Sequence, residues 1–131
     1  MDSIYREIIL EHSKNPSNRG KLDPADVSYE DTNPLCGDEV RIDIRVKDDH
    51  VSEIMFSGQG CAISQASASL LTELVDGMSL DDVKNFSKEE LLEEIGISLS
   101  PARLKCALLS LKVLKAGIYG IDRANEELED A

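Results

Sequence analysis

The sequence predicts an α+β domain: a small antiparallel three-stranded sheet with helices packed on one face. Three observations support this. Val40, Ile42, Ile44 and Val46 alternate with Arg41, Asp43, Arg45 and Lys47, the period of a strand buried on one side. Residues 51–57 return with Ile54 and Phe56 inward, after a charged hairpin turn at Asp48, Asp49 and His50. Segments with apolar residues at helical spacing stand before and after this hairpin. The 131 residues are most simply one domain, 1–131, long enough to bury a real core.

In chain order, residues 2–13 form a first helix. Ile4, Tyr5, Ile8, Ile9 and Leu10 make its apolar side, Arg6, Glu7 and Glu11 face water, and Asp2 or Ser3 caps it. Asn15, Pro16, Ser17, Asn18 and Gly20 stop it. His12, at the end of this helix, reads as structural or exposed, and His50, at the hairpin tip, as solvated. Residues 25–31 form a first strand with Val27 and Tyr29 on one face. Residues 32–38, T-N-P-L-C-G-D, turn the chain: Asn33-Pro34 opens the turn and Gly37 supplies a permissive φ.

A helix over residues 61–75 places Ile63, Ala66, Leu70 and Leu74 on one face and ends at Asp76-Gly77. Ser79 and Ser87, each followed three residues later by an acid, cap two short helices, the second reaching Gly96 through Leu91, Leu92 and Ile95. Ser100-Pro101 opens the last helix. It is apolar round most of its circumference through Leu104, Leu108, Leu109, Leu111, Val113, Leu114 and Ile118, so it should touch the sheet on one side and a helix on the other. Lys105, Lys112 and Lys115 fill the remaining sector. Beyond Gly120 the chain turns acidic, and residues 122–131 read as a flexible tail.

Composition excludes several functions. A net charge of −12 with no basic cluster argues against nucleic-acid binding. No apolar run is long enough for a transmembrane helix, and the N-terminus lacks the apolar stretch of a signal peptide, so a cytoplasmic protein away from membranes is expected. Trp is absent and aromatics are 4%, which disfavours a stacking site for sugars or bases. Three cysteines cannot all pair with one another. In a reducing compartment they read as free thiols, metal ligands or catalytic groups.

Their placement narrows the choice. Cys61 stands in F-S-G-Q-G-C-A-I-S-Q-A-S-A-S (56–69), where a glycine-bracketed turn becomes a helix. Unpaired N–H groups and the helix dipole favour its thiolate there, and Gly58 and Gly60 let the backbone take positive φ and leave the sulfur unshielded. The hairpin at 48–50 joins the strand that follows Cys36 to the strand that precedes Cys61, so it brings those two sulfurs to one sheet edge. Cys106, in the second turn of the last helix, completes the set if that helix packs with its N-terminal end there. Three thiolates suit Zn²⁺ or iron with sulfide, and Asp38, two residues beyond Cys36, is the nearest carboxylate for a fourth position. The competing reading makes Asp38 a turn residue and the cysteines core fillers.

Four segments, Y-R-E-I-I-L-E-H-S-K-N-P-S-N-R-G (5–20), N-P-L-C-G-D (33–38), 56–69 and P-A-R-L-K-C (101–106), resemble the NifU N-terminal, IscU and SufU family of iron–sulfur assembly proteins over nearly the whole chain. The resemblance implies an IscU/SufE-like sandwich. It implies that Cys36, Asp38, Cys61 and Cys106 hold either a transient [2Fe–2S] cluster or Zn²⁺, with a cysteine desulfurase as sulfur donor and apo iron–sulfur proteins as recipients. Lys105 stands where the IscU branch has histidine, which resembles SufU. The insertion typical of SufU is absent, and so is the L-P-P-V-K motif of IscU, here Leu99-Ser-Pro-Ala-Arg103.

Three functions follow. The favoured one is a non-enzymatic scaffold that builds a cluster on three Cys and one Asp and passes it to apo-proteins. The second is a zinc-dependent sulfurtransferase, with Cys106, or alternatively Cys36, accepting persulfide sulfur. The third is a structural zinc domain, which would want four strong, closed ligands. Arg103 and Lys105 flank Cys106 and either lower thiol pKa values and steer the persulfide, or are simply solvated.

Overall fold

The computed structural model describes the backbone of residues 2–34 and 37–130 and the side chains of 4–34 and 37–119; Leu35 and Cys36 lie outside it. The chain runs α1 (Asp2–Lys14), β1 (Val27–Asn33), β2 (Asp38–Lys47), β3 (His50–Gln59), α2 (Ala62–Val75), α3 (Leu80–Asn85), α4 (Lys88–Ile95) and α5 (Pro101–Asp130). The strands form one antiparallel sheet in the order β1-β2-β3. Alternation along β2 turns Val40, Ile42 and Ile44 into the core, with Ile54 and Phe56 beside them on β3. Helices α2 and α5 lie on this face and on each other, and α1 packs on α2. The predicted architecture is therefore present.

The hairpin is tighter than expected. Asp48 and Asp49 alone form its tip, both with positive φ, the two-residue turn that matches strand twist. His50 already pairs with Lys47 and is exposed. The first strand lies two residues further on than 25–31, because Asn33 pairs with Asp38 and its carbonyl accepts the Gly37 N–H at 2.9 Å. Gly37 has φ +69° in that closed turn. Val27 and Tyr29 do share a face, against Gly117 of α5.

Two readings need correction. Helix α1 docks through buried Ile9 and half-buried Tyr5 and Ile8, while Ile4 and Leu10, assigned to its apolar side, are 63% and 47% exposed. A single helix on another needs only a narrow stripe, and Ile4 and Leu10 fall outside it. The second correction concerns the sheet's outer face, which is not open. Residues 18–26 cross it: Asn18 and Gly20 pair with Phe56 along the outer edge of β3, Leu22 reaches Asp43 on β2, and Asp26 bonds Ile44. This strap satisfies the backbone of an otherwise exposed edge strand and buries Leu22 and Asp43.

The caps of three later helices stand where the sequence puts them, while Asp2 and Ser3, read as caps of α1, both belong to that helix and their side chains lie outside the described residues. Cys61 is the N-cap of α2, Ser79 of α3 and Ser87 of α4, the last with a full capping box to Glu90. Gly96 ends α4 at φ +73°, with the ring of Tyr5 lying where a side chain would stand. Helix α5 continues to Asp130 through the segment read as a tail, whose side chains lie outside the described residues.

Candidate metal centre

Asp38 belongs to the core face of β2, two residues before Val40, and is completely buried. Its Oδ1 accepts the backbone N–H of Cys61 at 2.9 Å, and its Oδ2 lies 3.9 Å from the Cys61 sulfur. A carboxylate is thereby placed at the N-terminus of α2, where the dipole and the unsatisfied N–H groups favour negative charge. The Cys61 sulfur in turn accepts the Ser64 N–H at 3.4 Å, the bond of an N-cap side chain.

The glycines act differently from the sequence reading. Gly58 does take positive φ, +122°, and a Cβ there would collide with the Glu39 carbonyl across the ladder. Gly60 is outside the positive-φ set, and what it supplies is space. A Cβ on Gly60 would overlap the Asp38 carboxylate. So Gly58 lets β3 pass close to β2, and Gly60 makes room for the carboxylate beside the cysteine.

Cys106 comes from the second turn of α5. It is buried, and its sulfur lies 3.5 Å from the Ala102 carbonyl one turn back. One ligand atom each of Asp38, Cys61 and Cys106 lie within 4.8 Å of one another. Two sulfurs each about 2.3 Å from a tetrahedral ion stand about 3.8 Å apart, so small side-chain rotations would bring all three onto one ion. Two thiols and a carboxylate form a donor set for zinc or iron, and the residues present fit such a group. Cys36, the remaining residue of the predicted set, lies outside the described residues.

Lys105 and Arg103 are exposed. Lys105 lines an open cavity of about 480 Å³ with Thr32, Asn33, Pro34, Leu108, Leu109 and Lys112, between α5 and the end of β1. Lys112 pairs with Asp31 at 3.0 Å and holds its carboxyl below the usual range. His12 is structural: Nδ1 meets Ser69 Oγ at 2.7 Å and Nε2 lies 3.9 Å from Glu73.

One residue near the centre escapes sequence reasoning. Arg19 donates to Gly58 O at 2.8 Å and to Gln65 Oε1 at 2.6 Å, joining the end of β3 to the helix that follows Cys61. The signal was the match of residues 5–20 to a family segment with no chemistry of its own.

The fold and site define a small α+β domain that gathers two thiols and a buried carboxylate where its sheet meets two helix N-termini. The chain belongs to the NifU-like N-terminal domain family, whose model matches residues 4–127. It is 36% identical to the zinc-dependent sulfurtransferase SufU of Bacillus subtilis, over 90% of this chain and 91% of that one. It is also 36% identical to the iron–sulfur cluster assembly scaffold protein IscU of Thermotoga maritima, over 92% of this chain and 96% of that one. A crystal structure of the SUF-system assembly scaffold candidate from Fervidobacterium islandicum AW-1 superposes with TM-score 0.73 at 30% identity, covering 88% of this chain and 97% of that one. Among the described residues no helix is long and apolar enough to cross a membrane.

Proposed function

We propose that this chain is an iron–sulfur assembly scaffold, working as one unit in the cytoplasm. A labile [2Fe–2S] cluster, its cargo, is built on Cys36, Asp38, Cys61 and Cys106 and handed to apo-proteins, with a cysteine desulfurase supplying the sulfur. The observation that carries this reading is the Asp38–Cys61–Cys106 cluster, in which one ligand is a carboxylate with an oxygen turned toward sulfur. A carboxylate is a harder ligand than a thiolate and holds a sulfide cluster less tenaciously. That suits release better than permanent storage, and it counts against a purely structural zinc site. The relatives named as IscU scaffolds support the same reading.

A second reading, a zinc-dependent sulfurtransferase, is favoured by the identity to the Bacillus subtilis protein and by Lys105 before Cys106. Zinc bound by the same residues would supply a charge that keeps thiols deprotonated. Cys106, or alternatively Cys36, would then take persulfide sulfur, with Arg103 and Lys105 drawing the anion in.

Absorption and metal content of protein purified without oxygen separate the two. Iron and sulfide with visible charge-transfer bands support the scaffold. Stoichiometric zinc without colour supports the carrier and sinks the scaffold. A chain that takes up neither metal on reconstitution contradicts both.

A further inference from the structure

We infer that Arg19 is a positioning residue for Cys61, locking the turn that presents the sulfur to Asp38 and Cys106. The inference rests on the metal-site reading above for what the position serves, and on geometry for how it is held. Residues 12–20 bind α2 along its length: His12 and the Ser17 N–H at Ser69 Oγ, the Ser17 hydroxyl at Glu73, and Asn18 at Thr72. Arg19 alone in this row reaches both the end of β3 and α2 with its side chain. Its backbone is fixed because its neighbours Asn18 and Gly20 bond Phe56 on β3. Its guanidinium lies 5.8 Å over the Phe56 ring, a cation–π distance. From there one nitrogen donates to Gly58 O and the other to Gln65 Oε1.

Gly58 and Gln65 bracket Cys61, three residues before it and four after. One rigid planar group thus ties the end of β3 to the first turn of α2, across Gly60 and Cys61, the two residues that join them. A lysine, with a single nitrogen, cannot span the two acceptors in the same way. Gln65 is buried, and its Nε2 has no hydrogen-bond partner among the described residues. Arg19 is thus the side-chain anchor of that amide, and without it the whole amide would be buried unsatisfied.

The test compares Arg19→Gln, Arg19→Lys and Ser17→Ala, the last loosening the same segment without touching the turn. Co²⁺ serves as probe, because sulfur-to-cobalt charge-transfer bands report thiolate ligation. Arg19→Gln is expected to weaken Co²⁺ binding about tenfold, Arg19→Lys less, and Ser17→Ala less than about twofold. In metal-free protein, the Cys61 amide, held by Asp38, should exchange with solvent about tenfold faster in Arg19→Gln, and not in Ser17→Ala. Unchanged Cys61 exchange in Arg19→Gln, or an equal change in Ser17→Ala, overturns the inference. Wild-type protein that binds Co²⁺ without sulfur ligation overturns the metal reading instead, and the exchange measurement still decides the role of Arg19.

Discussion

Asp38 and Asp43 stand on the same strand, both completely buried, yet they do opposite things. Asp43 points to the outer face, where its carboxylate accepts from Ser28 Oγ at 2.6 Å, Arg41 Nε at 3.0 Å and the Leu22 N–H at 3.2 Å. Burial alone would raise its pKa, but these three donors and the Arg41 charge outweigh it and hold the carboxyl below the usual range. Asp38 points to the core face, where among the described residues one oxygen accepts the Cys61 N–H and the other faces sulfur. A buried carboxylate saturated with donors is structural, because its loss leaves the buried Leu22 N–H unsatisfied and unties three segments from one another. One with an oxygen turned to two thiols is a ligand in waiting.

Breaking Asp43 should therefore have the largest effect on stability. Asp43→Ala is expected to cost about 3 kcal/mol in urea unfolding, since it leaves the buried Leu22 N–H without its acceptor and releases the strap from the sheet. Co²⁺ affinity of the folded fraction should stay near wild type. A loss below about 0.5 kcal/mol would erase the contrast between the two residues.

Gly60→Ala sharpens it from the other side. The added methyl overlaps the Asp38 carboxylate, and displacing it should cost about 2 kcal/mol and weaken metal binding at least about tenfold. Co²⁺ titration beside a denaturant curve checks both. Full affinity in Gly60→Ala would mean that the carboxylate's position does not matter.

Asp38→Ala should cost only about 1 kcal/mol, the value of one helix-start acceptor. Its effect should appear in function: slower cluster delivery to an apo-acceptor, with the bound species retained or prolonged. Asp38→Cys should lock the site. Delivery by Asp38→Ala at the wild-type rate would reduce Asp38 to a buried acceptor for the Cys61 N–H.

The smallest effect is on pH dependence. Asp43 has a folded pKa below its unfolded value of about 3.9, so its contribution is complete above that value and is lost as pH falls through the lowered folded pKa. Stability should drop on acidification below about pH 4, and more shallowly in Asp43→Asn. Parallel curves for the two proteins would show that the outer-face network is not what acid removes.

The sheet, the caps and the meeting of β2 with the Cys61 turn were legible because period-2 alternation and turn chemistry are local signals. The alternation of Val40, Ile42 and Ile44, carried back two residues, even puts Asp38 on the core face. The same alternation marks Asp43 as solvent-facing, and there it misleads, because the strap over it comes from residues 18–26. Covering by a non-periodic segment leaves no trace in the strand it covers. The role of Arg19 was illegible for a related reason: its two acceptors, Gly58 O and Gln65 Oε1, are brought to it only by the fold. The space made by Gly60 is likewise invisible without the carboxylate beside it.

The most direct test of the shared site is X-ray absorption at the zinc edge, on wild-type protein and on Asp38→Ala, Cys61→Ser and Cys106→Ser loaded with Zn²⁺. Sulfur scatterers at about 2.3 Å, with an oxygen at about 2.0 Å, are expected in the wild type. One sulfur should be lost in each cysteine variant, and the Asp38 oxygen lost or replaced in Asp38→Ala. A shell of nitrogen and oxygen alone, or a sulfur shell indifferent to both cysteine substitutions, would contradict it.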